Sequence, residues 1–174
     1  MADNIVLIGY RGTGKSSVAS VLARELDREI RRTDEEIEKR AGKISVIVTQ
    51  YGWGHFRALE KQVLRDLNVE LAIIDCGGGI IEDPDNIARL KALGTVFWLK
   101  AETETIRTRI HDDTNRPSLS GDTSFLDEIE TVCQRRRPLY RQAADHTIAT
   151  DDKTPAEIAR EIIRILKPAE SSYI

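Results

Sequence analysis

The stretch Asn4-Ile5-Val6-Leu7-Ile8-Gly9-Tyr10-Arg11-Gly12-Thr13-Gly14-Lys15-Ser16 decides the fold. An apolar run of strand length leads straight into the pattern G-x-x-x-x-G-K-[ST]. Val18, Val21, Leu22 and Leu26 then recur at helical spacing. A strand, a glycine-rich loop and a helix in that order make a phosphate cradle. Glycines let backbone N–H groups curl around the anion, and the helix directs its positive end at it. On this reading Gly12, Thr13, Gly14, Lys15, Ser16 and Ser17 hold the phosphates of a nucleotide. Lys15 reaches the β- and γ-phosphates, and the Ser16 hydroxyl ligates Mg²⁺. The plain alternative, a glycine-rich turn with no ligand, leaves the flanking strand and helix unexplained.

Working outward, short apolar runs alternate with longer amphipathic ones, the signature of an α/β fold with a parallel sheet. Strands are expected at 4–8, 69–75, 95–99 and 146–149, with a weaker, more polar one at 28–33. Phe56, Leu59, Val63, Leu64 and Leu67 mark a helix. Another opens at Asp83-Pro84, carries Ile87 and Leu90, and closes at Gly94. Thr154-Pro155-Ala156-Glu157 reads as a capping box with proline at the first helical position, starting a helix that ends at Leu166. Two stretches break the alternation. Residues 34–67 hold two or three helices before the next strand. Residues 111–124 are polar and aperiodic, with proline and glycine. A loop of that length in a compact domain reads as a lid, against the alternative of a surface excursion.

At 174 residues with 40% hydrophobic content, the chain is expected to form one domain, 1–174, around a packed core. The 26 basic residues are outweighed by 29 acidic ones, which argues against a general nucleic-acid binder. No stretch approaches the ~20 apolar residues of a spanning helix. The first residues lack the basic and apolar segments of an export signal, so a cytoplasmic protein without membrane contact is expected. Cys76 and Cys133 are too far apart for a paired motif, and His55, His111 and His146 are scattered, so neither set suggests a metal site.

A second chemical signal is Ile73-Ile74-Asp75-Cys76-Gly77-Gly78-Gly79. A carboxylate at such a strand end can stand beside a phosphate-bound metal, and three glycines permit close approach of a ligand. An ordinary strand-to-loop turn is the alternative. Cys76 reads as a small buried residue. A third signal is the set Arg57, Arg116 and Arg135-Arg136-Arg137, whose forks suit carboxylate and phosphate, though any one of them could be a solvated surface charge. Asp34 stands at an expected strand end, and on local evidence its stronger reading is the N-cap of the following helix. Trp53 reads as packing ahead of the Phe56 helix, with pocket shaping as the alternative.

Together these segments resemble the shikimate kinases, small P-loop kinases of aromatic biosynthesis, over about residues 4–166. The resemblance is carried by the P-loop, Thr33-Asp34-Glu35-Glu36-Ile37-Glu38, and Gly54-His55-Phe56-Arg57 with Glu60. It continues through Gly77-Gly78-Gly79, Asn115-Arg116-Pro117, and Arg136-Arg137-Pro138-Leu139-Tyr140. It implies a three-layer α/β P-loop fold with a five-stranded parallel sheet in the order 2-3-1-4-5. A helical substrate-binding region at about 34–67 and a lid at about 111–124 go with it. The implied activity is ATP-dependent phosphorylation of the 3-hydroxyl of shikimate, with Mg²⁺, no covalent intermediate and a monomeric enzyme.

Residue by residue, the resemblance gives Asp34 the shikimate hydroxyls and the role of base. Arg57 and Arg136 clamp the carboxylate, and the backbone of Gly78 and Gly79 orients the ring. Glu60 supports the binding arginine. Arg109 and the segment from Lys153 to Pro155 meet the adenine, and Arg116 closes over the nucleotide. Lys15, Asp34 and Arg116 are the expected catalytic set.

Three departures stand out. Arg32-Thr33-Asp34 replaces the usual Asp-x-Asp, whose first aspartate meets the magnesium shell through water. Gly52-Trp53 replaces a usual Gly-Glu, and Ser118 stands in the lid where a second leucine is common. Asp75 occupies a position usually small or uncharged. It is therefore expected to supply, with Ser16 and through water, the metal contact that Arg32 cannot. The alternatives are a kinase for another small polyol or sugar acid, and a nucleotide-binding regulator with weakened catalysis.

Overall fold

The computed structural model describes residues 4–110 and 125–167. Its centre is a five-stranded sheet of β1 (Asn4–Ile8), β2 (Ile30–Arg32), β3 (Ile73–Asp75), β4 (Gly94–Lys100) and β5 (His146–Ala149). All pairs are parallel and the order is β2-β3-β1-β4-β5, the expected one. The helices are α1 (Lys15–Leu26), α2 (Thr33–Ala41), α3 (Ile44–Asp66), α4 (Pro84–Leu93), α5 (Thr103–Ile110), α6 (Phe125–Ala143) and α7 (Pro155–Leu166).

The unbroken apolar run of β1 follows from its central place, because both sheet faces are covered. Val6 and Ile8 join Ile74, Val96 and Trp98 against Leu64 of α3, Leu90 of α4 and Tyr140 of α6. Ile5 and Leu7 join Ile73, Phe97 and Leu99 against Val18 and Leu22 of α1 and Ile158 and Ile162 of α7. Alternate residues thus serve opposite layers, and each buried aliphatic side chain contributes about 1.5–3 kcal/mol. The carboxyl ends of β1, β2 and β3 consequently open on one edge, where this architecture places its ligands.

Helix signals hold well. Asp83 caps α4 by accepting from Asp85 N at 2.8 Å, with Pro84 next. Thr154 and Glu157 form the expected reciprocal capping box of α7.

Other expectations need correction. The strand expected over 69–75 shortens to Ile73–Asp75, because Leu71 takes a left-handed φ of 53° with its side chain 54% exposed. The strand expected over 28–33 narrows to Ile30–Arg32, since Thr33 already begins α2. Asp34 is therefore no N-cap. Arg32 holds that position without a side-chain cap bond, and Asp34 lies in the first turn. The 34–67 region contains α2 and the long α3, which Gly52 divides by taking φ 80° and ψ 170°. The expected lid, 111–124 with Arg116, lies outside the described residues, and among those described no helix is long and apolar enough to cross a membrane.

Candidate active site

The loop from β1 to α1 is shaped by glycines that could be nothing else. Gly9 has φ 147° and a Cβ there would stand 2.5 Å from Leu99 O. Gly12 has φ 82° and its Cβ would stand 2.7 Å from Ile110 Cγ2. Thr13 is buried, and its Oγ1 donates to Tyr10 O at 2.8 Å, tightening the turn. Lys15 Nζ lies across the loop, donating to Gly9 O at 2.9 Å and Tyr10 O at 3.1 Å. Gly14 is the N-cap of α1 and offers no side-chain cap bond, so the helix's first-turn N–H groups face the loop's mouth. That is a site for an anion.

Next to it, Ser16 Oγ donates to Asp75 Oδ2 at 2.6 Å. Asp75 is only 6% exposed and stands opposite Arg32 across the β2–β3 pair, with Arg32 Nε 3.7 Å from the same oxygen. Arg32 also pairs with Glu35 at 3.2 Å. Arg32 and Asp75 thus form an ion pair at the carboxyl edge of neighbouring strands.

The triple glycine explains itself by what crowds it. Gly77 N donates to Thr33 Oγ1 at 2.9 Å, tying the loop after β3 to the start of α2. A Cβ on Gly77 would stand 2.7 Å from Asp34 Oδ1 and 2.9 Å from Glu60 Oε1. One on Gly79 would collide with the Arg57 guanidinium. The Gly78 carbonyl accepts from the Tyr140 hydroxyl. Cys76 is buried, and burial pushes its thiol well up, so it is no nucleophile.

Arg57 on α3 donates from Nη1 to Glu60 Oε2 at 2.7 Å, one helical turn on. Glu60 is wholly buried. That burial pushes its carboxyl up to about 7 against the pull of Arg57, and neighbouring Asp34 adds to the rise. Trp53 packs edge-on to Phe56 at 5.5 Å and also lines the cleft, so packing and pocket shaping both hold. The Arg57 guanidinium carbon lies 5.1 Å from the Phe56 ring centre and 5.6 Å from that of Trp53.

Arg136 on α6 is 4% exposed and donates from Nε to Glu82 Oε1 at 2.8 Å, while Glu82 Oε2 is 3.4 Å from Arg57 Nε. Sequence reasoning missed Glu82. A lone glutamate between an apolar pair and a helix cap carries no local sign of arginines from two other helices.

A cleft of about 770 Å³ is lined by the P-loop, Asp34, Arg57 and Arg136, but not by Glu82. Of the expected nucleotide residues, Gly12, Gly14, Lys15, Ser16 and Ser17 line it. Of the expected acceptor residues, Asp34, Arg57, Gly78, Gly79 and Arg136 line it, and Asp75 stands between the two sets. Arg109 does not line it. Its Nη2 donates to Thr150 O at 2.8 Å and its Nη1 lies 3.4 Å from Gly12 O, joining the P-loop to the turn before α7. On the same side Lys153 pairs with Glu161 at 2.6 Å and Pro155 starts α7.

Known proteins resemble this chain in sequence and in fold. The family model described as shikimate kinase matches residues 11–167. A shikimate kinase from Syntrophus aciditrophicus is 42% identical, the match covering 92% of this chain and 89% of that one. One from Dehalococcoides mccartyi is 37% identical over 98% and 97%. Among solved structures, a shikimate kinase from Acinetobacter baumannii in complex with shikimate superposes with a TM-score of 0.89 at 33% identity. That match covers 95% of this chain and 93% of the other.

Proposed function

This chain belongs to the shikimate kinase family, and from that premise we propose that its cleft moves the γ-phosphoryl group of ATP to the 3-hydroxyl of shikimate. One observation carries the reading: Arg57, Arg136 and Asp34 converge on the glycine loop in the same 770 Å³ cleft that Lys15 and Ser16 enter from the phosphate side. An anion clamp, a carboxylate for hydroxyls and a phosphate cradle share one space.

The transfer forms a bond from the acceptor oxygen to the γ-phosphorus and breaks the bond to the β-phosphate oxygen, releasing ADP. Asp34 takes the hydroxyl proton. Arg57 and Arg136 fix the acceptor's carboxylate, and the glycine backbone sets the ring. Lys15 exchanges two backbone carbonyls for the phosphates, following negative charge as it builds on the leaving group. Arg116 is the residue we assign to the closing side of the nucleotide. Positioning and charge of this kind supply most of what phosphoryl transfer needs.

The donor set beside the P-loop fits Mg²⁺. Ser16 and Asp75 offer hard oxygens, and among the described residues no group of three or more His, Cys, Asp or Glu makes a metal site of its own. An ion that leans on phosphates and waters is the kind such a site can hold. When bound, Mg²⁺ neutralises phosphate charge. Ser16 would ligate it directly and Asp75 would accept from its waters. Asp75→Asn is accordingly expected to raise the Mg²⁺ concentration needed for half-maximal nucleotide binding and turnover, whereas Arg32→Asp leaves it unchanged or lowers it. If Asp75→Asn alters stability but not the Mg²⁺ titration, Asp75 serves only to balance Arg32.

Arg57→Lys should weaken acceptor binding by at least an order of magnitude and ATP binding hardly at all. A lysine cannot reproduce the fork that holds Glu60 on one side and presents a planar face on the other. Calorimetric titration of each ligand separates the two, and equal losses would remove Arg57 from the clamp. The activity itself is tested by ADP release from purified protein with shikimate, quinate, gluconate or no acceptor. Shikimate-dependent release is expected. Release with another acceptor alone would identify a different small-molecule kinase, and tight ATP binding without release a regulator.

A further inference from the structure

Glu82 sits where no assigned role has been given it, and three arginines meet on its carboxylate. Oε1 accepts from Arg136 Nε and from Arg135 Nη2, each at 2.8 Å, and Oε2 faces Arg57 Nε at 3.4 Å. The residue is held from both sides. It ends the short 3-10 turn Ile80–Glu82, its N–H donates to Gly79 O at 3.0 Å, and Ile80 and Ile81 are fully buried. Asn86 Nδ2 donates to Ile80 O at 3.0 Å, and Asp83 immediately begins the cap of α4. This carboxylate is anchored to the core and not to a mobile loop.

We infer that Glu82 is a positioning residue for the acceptor's carboxylate, gripping Arg57 and Arg136 by their Nε edges so that the two guanidinium groups stand together over the glycine loop. The inference rests on the reading of this cleft as the shikimate site.

Two cations brought from α3 and α6 repel each other, and Arg136 is almost wholly buried. A fixed anion between them offsets both costs. Glu82 bonds Arg136 through Nε, so the outer nitrogens turn toward the Tyr140 hydroxyl and the glycine loop, with Nη1 3.8 Å from the Cβ position of Gly78. Arg57 spends Nη1 on Glu60 and turns Nε to Glu82, leaving Nη2 beside Gly79. Outer nitrogens of both residues therefore face the same backbone. Burial works against ionisation of Glu82, yet Arg136, and with it Arg57 and Arg135, holds it below the usual carboxylate range, so it remains an anion at neutral pH.

Glutamine at this position keeps the shape but loses the charge. Its carbonyl oxygen can replace one carboxylate oxygen, but its amide nitrogen, a donor, cannot replace the other, so either Arg57 or Arg136 loses its partner. Glu82→Gln should therefore raise the Kd and KM of shikimate about tenfold or more, because the buried Arg136 guanidinium loses its anion. The Kd of ATP should stay within about twofold. In an Arg136→Met background the same substitution should add little further loss of shikimate affinity, because coupled residues are not additive.

Shikimate binding is read by calorimetry and by quenching of Trp53, which neighbours Arg57. An unchanged or tighter shikimate Kd would overturn the inference, the tighter value marking Glu82 as a competitor for the clamp. Equal losses for both ligands, or a loss that adds fully to Arg136→Met, would overturn it as well, leaving only a structural role. Should Glu82→Gln not fold, Glu82→Asp keeps the charge on a shorter arm that cannot span both arginines. It must still raise the shikimate Kd selectively, or the inference fails. Wild-type protein that binds ATP but not shikimate would instead refute the underlying reading, and the inference with it.

Discussion

Lys15→Ala is expected to lower turnover by at least two to three powers of ten while the protein stays folded. A donor aimed at charge that develops in the transition state is worth about 2.7–4 kcal/mol, and a full positive charge on the transferring phosphate should not be worth less. The fold has little stake in this side chain. Its amine is held by Gly9 O and Tyr10 O, loop carbonyls at the mouth of the cleft, and the sheet beneath is packed without it. The measurement is kcat for ADP release, with circular dichroism and thermal unfolding as the check on folding. A folded Lys15→Ala protein turning over at close to the wild-type rate would refute phosphoryl transfer at this loop.

The contrast between what the sequence disclosed and what it hid follows from the range of the interactions. Strands β1 and β4 are legible because their centres are buried on both faces, which makes residues 5–8 and 96–99 unbroken apolar runs. Caps are legible because a cap bond reaches only two or three residues along the chain, as from Asp83 ahead of Pro84 and between Thr154 and Glu157. The edge strand β2 is short, with all three of its residues half-buried, and no pattern marks where it stops. On local evidence Asp34 reads as a cap for a related reason. An aspartate before a helix usually caps it, and only the pairing of Arg32 with Asp75 across β2 and β3 moves the helix start to Thr33. That shift turns a capping residue into one whose carboxylate presses against Gly77.

The cluster on Glu82 lies further still from local rules. Its three arginines arrive from α3 and α6, and nothing within a few residues of Glu82 calls for them. The triple glycine is intermediate. Its oddity was plain, but its cause, carboxylates and a guanidinium crowding the missing Cβ positions, needs the fold.

Asp34→Asn is expected to reduce kcat by about two to four powers of ten, the range that a positioned acid or base contributes, with a smaller change in the KM of shikimate. The substitution is nearly isosteric, so Gly77 still fits against it and Thr33 Oγ1 still accepts from Gly77 N. An asparagine oxygen can hold a hydroxyl by accepting its hydrogen bond but cannot take its proton. The neighbouring carboxyl, Glu60, is no substitute, because it is wholly buried and committed to Arg57 at 2.7 Å. Two effects can be told apart in the same steady-state experiment. Loss of proton acceptance lowers kcat and kcat/KM together, whereas loss of a ground-state hydrogen bond raises KM and spares kcat. If kcat falls less than tenfold while KM climbs, Asp34 orients the acceptor and something else receives the proton. A late, loose transition state would allow that, since the attacking hydroxyl then keeps its proton until the bond to phosphorus is largely made.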